Sequence, residues 1–345
     1  MNKIIVHGRN PVRWVVCLCL QLFVGVTLFA NPIGEEVKHG DVKFIRDGNK
    51  LTITQGSDKA IINWKDFSIN KEEWTQFLQP GSNSAALNRV VGVHPSQLLG
   101  RLDANGKIFL VNPNGILVGP GAQINASTFV ASTLDVADDN FLAGGDLKFF
   151  GNSTAAVQNY GTIQAQGGDV FLIGHQVQNA GTILAPNGTV GLAAGQDVVL
   201  KEAGPERLAV RVAAGQPSAS EGVTNTGIIE AASAELRAAG GNVYAMAINN
   251  SGTIKANKLV NDGGRIILDV DGGNITNTGK LEALGGQVAV QAYARQTTPV
   301  LRDSTIVNSG TISVASTAAG TKGGSIDLFA DRVQLNSTSV LDASG

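Results

Sequence analysis

Two stretches place chemically capable residues at suggestive spacing. Asp269-Val270-Asp271-Gly272-Gly273-Asn274 opens like an oxygen-donor loop for calcium. Such a loop needs an oxygen ligand at its fifth position and a bidentate carboxylate at its twelfth. Gly273 and Lys280 stand there instead. Gly100 to Lys107 has the glycines and lysine of a phosphate loop, but one residue too many between the glycines. Ile108 also stands where a magnesium-binding hydroxyl belongs. The histidines beyond the N-terminal segment, His39, His94 and His175, are scattered along the chain and suggest neither a metal set nor a triad. The expectation is a protein with no enzymatic activity, no cofactor and no metal.

The composition agrees with a structural role. Only 16% of the 345 residues are charged and the formal net charge is −2, which gives no electrostatic reason to expect nucleic acid as a partner. There are 43 glycines, and Asn, Ser and Thr supply much of the polar surface, a mixture that suits strands and tight turns. Lys3, Arg9 and Arg13 precede an uncharged, mostly apolar run from Trp14 to Ala30. This reads as a signal peptide over residues 1–30, cleaved before Asn31-Pro32. Cys17 and Cys19 both lie inside it, so the mature chain is expected to hold no disulfide. Asn-x-Ser/Thr sequons occur at Asn125, Asn152, Asn187, Asn249, Asn274 and Asn336, a weak hint of glycosylation in a chain so rich in these residues.

The elements that would position any site are repeats. Asn-x-Gly followed by an alternating strand recurs at Asn159, Asn179, Asn225, Asn250, Asn277 and Asn308. The offsets are 20, 46, 25, 27 and 31 residues, with the 46 read as two coils, and such a period means a solenoid. Aligned on the glycine, Ile163, Ile183, Ile229, Ile254, Leu281 and Ile312 fall in one inward column. The residues that follow them, such as Glu230, Lys255 and Glu282, point outward. A second strand follows Gly-Gly at Gly167, Gly240, Gly263, Gly285 and Gly323, where glycine serves a turn with positive φ. Asn at the other corner tolerates similar dihedrals, and its amide can bond the same Asn one coil away. The predicted fold is all-β: a right-handed, single-stranded parallel β-helix of roughly seven coils from residue 159. An N-terminal cap over residues 31 to about 75 is expected to cover the first strand edge. The outward columns show no Asp cluster of the kind that β-helical polysaccharide lyases need.

Residues 41 to 144 have a different texture, and here several ordered motifs carry a resemblance. They are Ile62-Asn63-Trp64-Lys65-Asp66-Phe67, Phe77-Leu78-Gln79-Pro80, Leu87-Asn88-Arg89-Val90 and Ser96-Gln97-Leu98-Leu99-Gly100. Then come Ala104-Asn105-Gly106-Lys107-Ile108, Val111-Asn112-Pro113-Asn114-Gly115-Ile116 and Ala131-Ser132-Thr133-Leu134-Asp135. Together they resemble the haemagglutination-activity, or two-partner-secretion, domain of filamentous-haemagglutinin-like exoproteins. The resemblance implies a domain over residues 31–158 and β-helix repeats over 159–345. It implies a partner, an outer-membrane TpsB-type transporter with periplasmic POTRA domains, reached through Sec and the periplasm. It assigns transporter recognition to Asn112, Pro113, Asn114 and Gly115, and less directly to Asn88 and Arg89. Read as residues alone, Asn112 to Gly115 equally make a tight turn.

The function this implies is a secreted or surface adhesin, with a host or neighbouring-cell receptor as target. The alternative is the delivery portion of a larger haemolysin or contact-dependent inhibition toxin. Val340 to Gly345 begin a strand and stop before a Gly-Gly corner, which suggests the front part of a longer protein.

Overall fold

The computed structural model describes residues 31–204, 206–211, 222–239, 246–256, 263–293, 304–316 and 320–345. The leader and the Gly240-Gly241 motif lie outside the described residues.

The chain winds as a parallel β-helix with three strand faces per coil. One coil runs Ala156–Asn159, Thr162–Ala165 and Val170–Gly174. The next starts at Gln176–Asn179, paired in parallel so that Asn179 lies opposite Asn159. Sequence patterning predicts the second and third of these strands. The first, which ends on the corner Asn, adds an inward column of Val157, Val177, Val223, Ile248, Ile275 and Ile306. Inward residues of all three faces form one continuous core from Leu51 to Val314, so residues 31–158 and 159–345 share a single stack.

The corners correct the expectation for Asn. No non-glycine residue has positive φ among the described residues, so the corner Asn is not there for its dihedrals. The glycine after it is not there for positive φ either. A Cβ on Gly181, Gly227, Gly252, Gly279 or Gly310 would lie 2.0–2.2 Å from the carbonyl oxygen of the matching glycine one coil below. These glycines let backbones stack. In the Gly-Gly pairs, Gly263 and Gly285 do have positive φ, while Gly286 and Gly324 again allow close stacking.

The offset of 46 residues is one coil, not two. Val177 pairs directly with Val223, and Asn179 with Asn225. The surplus leaves the stack as Asp197–Leu200 and Leu208–Arg211, an antiparallel pair. With Asp135–Val136 and Leu147–Phe150 it makes a four-stranded antiparallel sheet outside the helix. That sheet explains a break in the alternation. Ile61, Leu87, Phe109, Val130 and Phe171 stack in register at outward positions, where polar residues are expected. They are buried under Phe141, Phe149, Val198, Leu200 and Leu208. Covering a side chain of this size contributes about 1.5–3 kcal/mol.

The cap is antiparallel. Val42–Asp47 pairs with Lys50–Gln55, and Glu36–His39 pairs with Lys59–Trp64, the first two strands of the first coil. Phe44 closes the core edge-on against Trp64 at 5.6 Å. Asn31 is buried and ties the cap down, donating to the Asn49 carbonyl at 2.8 Å and accepting from Thr75 Oγ1 at 2.9 Å.

Candidate functional site

Asn112 to Gly115 link the strand Lys107–Val111 to Ile116–Val118, at the corner between the third face of one coil and the first face of the next. Gly115 N–H donates to the Asn112 carbonyl at 3.1 Å and closes the turn, with Gly115 at φ +117°, a region side chains avoid. Asn112 Oδ1 accepts from Asn114 N–H at 2.9 Å, an Asx turn that doubles the closure. The Asn112 amide donates outward to the His94 carbonyl and to Ser96 Oγ, both at 3.0 Å. Asn114 Nδ2 donates to the Gly92 carbonyl at 2.9 Å, and Ser153 Oγ to the Pro113 carbonyl at 2.6 Å. The turn is thus tied to the loop before it and to the coil after it.

Burial divides the four residues. Asn112 and Gly115 are buried, so only Pro113 and Asn114 present side chains to solvent. Beside them stand Val91 and Val93, exposed at 58% and 78%, on the loop whose Gly92 carbonyl accepts from Asn114. Sequence reasoning missed this loop. The available signal was a pair of β-branched apolar residues around Gly92 at a position that does not alternate.

Asn88 and Arg89, to which the resemblance also extends recognition, do structural work in the folded domain. Asn88 is wholly buried in the inward column between Ile62 and Leu110. Its Oδ1 accepts from Trp64 Nε1 at 3.0 Å. Arg89 is mostly covered and pairs with Asp135 at 2.9 Å and Asp138 at 2.8 Å. Burial opposes its charge, but the hydrogen bonds and charges of Asp135 and Asp138 outweigh this and raise its pKa. It also donates to the Val136 carbonyl, and so clips the helix Asp138–Ala143 and the outer sheet to the stack.

The repeat asparagines form a buried ladder. Asn159 Nδ2 donates to Asn179 Oδ1 at 2.7 Å, Asn179 to Asn225 at 2.8 Å, and Asn225 to Asn250 at 2.8 Å. Asn250 then donates to Asn277 and Asn277 to Asn308, both at 2.7 Å. Leu98 and Val118 occupy the same position in the earlier coils, so the ladder starts at Asn159.

Of the two motifs with apparent chemistry, Asp269 is buried and its Oδ2 is held by Arg237 at 2.5 Å. Arg237 also pairs with Glu235 at 3.1 Å and Glu206 at 3.0 Å. Glu235 in turn accepts the Arg207 and Leu208 amides at 2.6 and 3.1 Å, anchoring the outer sheet. Sequence reasoning missed this ion cluster, since Glu235, Arg237 and Asp269 look like ordinary outward residues. Gly100 and Gly106 are corner glycines, with backbone oxygens 2.1 and 2.6 Å from where a Cβ would be.

The profile of the TPS secretion domain matches residues 30–283. The chain belongs to the TPS secretion domain family. A heme/hemopexin-binding protein of Haemophilus influenzae strain Rd is 33% identical over 255 residues, covering 71% of this chain and 28% of that protein. A second heme/hemopexin-binding protein of Haemophilus influenzae is 48% identical over 88 residues, covering 26% of this chain and 10% of the relative. This chain therefore spans a minor part of the length of these curated relatives. Among solved structures, the HMW1 secretion domain from Haemophilus influenzae superposes with a TM-score of 0.67 at 28% identity, covering 91% of this chain and 98% of that one. The filamentous hemagglutinin secretion domain, at 16% identity and a TM-score of 0.54, shares the fold over 90% of this chain and 100% of its own. TPS-domain proteins are exported across the outer membrane through a partner transporter, and residues 30–283 are the part of this chain that marks it as one of them.

Proposed function

We propose that the Asn112–Gly115 corner is the feature by which the POTRA domains of the partner transporter recognise this chain, after Sec-dependent passage directed by residues 1–30. The observation that supports this is a division of labour within the turn. Asn112 and Gly115 are buried and build it, whereas Pro113 and Asn114 project from it beside exposed Val91 and Val93. Both loops are held by hydrogen bonds to neighbouring coils, so this surface is presented without an ordering cost on binding. Once outside, the β-helix serves as the stalk of an adhesin that meets a host or neighbouring-cell surface, and acts by presentation, not by catalysis.

The test is co-expression of the transporter with Asn114→Ala. The variant loses the Asn114 amide bonds to the Gly92 carbonyl and to Asn112 Oδ1 but keeps the backbone closures of the turn by the Asn114 and Gly115 N–H groups, so its melting curve should stay near that of the wild type. Release into the medium should fall several-fold. Wild-type release by the folded variant would overturn the recognition role.

A further inference from the structure

Beside the apolar column that the outer sheet covers runs a polar column that it leaves open. This is the first outward position of the third face, one residue per coil. Lys59, Ala85, Lys107, Thr128 and Asp169 line a cleft of about 460 Å³. Asp169, Thr189, Ser233, Arg265, Gln287 and Ser325 line a second of about 630 Å³. Asp169 precedes Val170, which pairs with Phe129 and Val190, and so falls in the same column. The clefts share Asp169 and Arg207 and form one channel along the axis. With coils ~4.8 Å apart, the column spans roughly 40 Å.

The connection between the outer strands Asp197–Leu200 and Leu208–Arg211 supplies one wall, with Lys201, Glu202, Gly204 and Arg207. In the second cleft Gly188, Gly264 and Gly286 present bare backbone, since a Cβ on any of them would lie 1.6–2.0 Å from a backbone oxygen. Lys59, Lys107, Lys201, Arg207 and Arg265 line the channel against Asp169 and Glu202, a surplus of positive charge in a chain whose formal net charge is −2. Three of these cations have structural work. Lys59 donates to the Phe141 and Leu142 carbonyls at 2.9 and 2.7 Å, Arg207 pairs with Asp169 at 2.8 Å, and Arg265 with Glu206 at 3.7 Å. Lys107 and Lys201 are half-buried and take part in no ion pair among the described residues. Further along, Ser233, Gln287 and Ser325 offer groups that both donate and accept hydrogen bonds, set at the spacing of the coils.

Such a channel suits a polymer that carries anions and hydroxyls and repeats at about one coil. An extended peptide rises only ~3.3 Å per residue and binds by joining an open strand edge, which the paired strands of this face do not offer. A pyranose unit is close to one coil spacing in length and brings hydroxyls at every step. We propose that the channel binds a linear acidic polysaccharide lengthwise. Uronate carboxylates sit at Lys107 and Lys201, where charge-assisted hydrogen bonds form, and sugar hydroxyls bond Ser233 and Gln287. The channel lies apart from the Asn112–Gly115 corner, and its occupancy is measured without a transporter, so its failure and the failure of the export reading are separate results.

The test is calorimetric titration of the purified full chain with oligogalacturonates of graded length. Affinity should rise at least tenfold from monomer to long oligomer and fall with added salt. Lys107→Glu with Lys201→Glu should weaken long oligomers at least tenfold. The arginine pair at the same positions retains binding, and Lys43→Glu, on an exposed residue of the cap, leaves it unchanged. Ser233→Tyr, which narrows the second cleft, should weaken long oligomers and spare short ones. The lysine variants should melt with the wild type, since neither lysine has an ion pair to lose among the described residues. No binding of long oligomers by the wild type, equal affinity for monomer and long oligomer, or equal affinity after charge reversal would overturn the proposal. So would equal binding of a neutral cello-oligosaccharide of the same length.

Discussion

Trp64 donates its indole N–H to Asn88 Oδ1 at 3.0 Å, from one coil to the next, inside an otherwise apolar interior. The Asn88 amide is completed by weaker bonds at 3.3 Å to the Ala86 and Phe109 carbonyls. An indole buried near the first coil needs an acceptor, and a side-chain amide in the next coil supplies it. Asn88→Ala should therefore destabilise the domain by about 1–3 kcal/mol, the usual cost of a stranded buried donor plus lost packing. In a Trp64→Phe background the same change should cost clearly less, because no donor is stranded. Denaturant melts of the four-variant cycle would show this, and additive effects would contradict the pairing.

The Asn ladder predicts a position-dependent cost. Asn225 both accepts from Asn179 and donates to Asn250, so Asn225→Ala strands a buried donor below and a buried acceptor above. The expected loss is about 2–4 kcal/mol, the upper end for two unsatisfied groups. Asn159, at the start of the ladder, donates to Asn179 and has no ladder partner below, so Asn159→Ala should cost less. Thermal melts that rank the two the other way would argue against the ladder as a stabilising unit.

Arg237 is held among Glu235, Asp269 and Glu206 with almost no solvent contact. Arg237→Met leaves two buried carboxylates facing each other, and removing one member of such a set costs about 3–5 kcal/mol. The Glu235 contacts to the Arg207 and Leu208 amides should loosen with it. Hydrogen exchange should then rise in Leu208–Arg211 before it rises in the stack. Uniform protection across both would show that the cluster does not hold the outer sheet.

Ile254 and Lys255 are neighbours in sequence with opposite environments. Ile254 is fully buried, whereas Lys255 faces out and pairs with Glu230 at 3.4 Å. Ile254→Asp should cost several kcal/mol for an unpaired buried carboxylate. Lys255→Asp loses a surface pair and places Asp beside Glu230 and Glu282, for about 1 kcal/mol or less. Equal denaturation midpoints would refute the inward and outward assignment.

The sequence by itself determined the stack. Asn-x-Gly, the inward isoleucines and the Gly-Gly corners recur because each coil packs on a copy of itself, so one residue type per position satisfies the whole column. That made the ladder from Asn159 to Asn308 legible before any coordinates, together with the alternation at Ile254 and Lys255. The family motifs around Asn112 were equally legible as a pattern. Tertiary structure decided what does not repeat. The outer sheet joins Asp135–Val136 and Leu147–Phe150 to strands near residues 200 and 210, antiparallel pairings between distant segments that leave no period to read. Only with that sheet in place does it follow that Phe109 and Phe171 are covered and that the 46-residue offset is a single coil with an excursion. The burial of Asn88 and Asn112 was likewise a matter of space. An amide can point into a core only where a particular neighbour, here the Trp64 indole or the His94 carbonyl, arrives to bond it, and that neighbour is brought there by the winding of the chain.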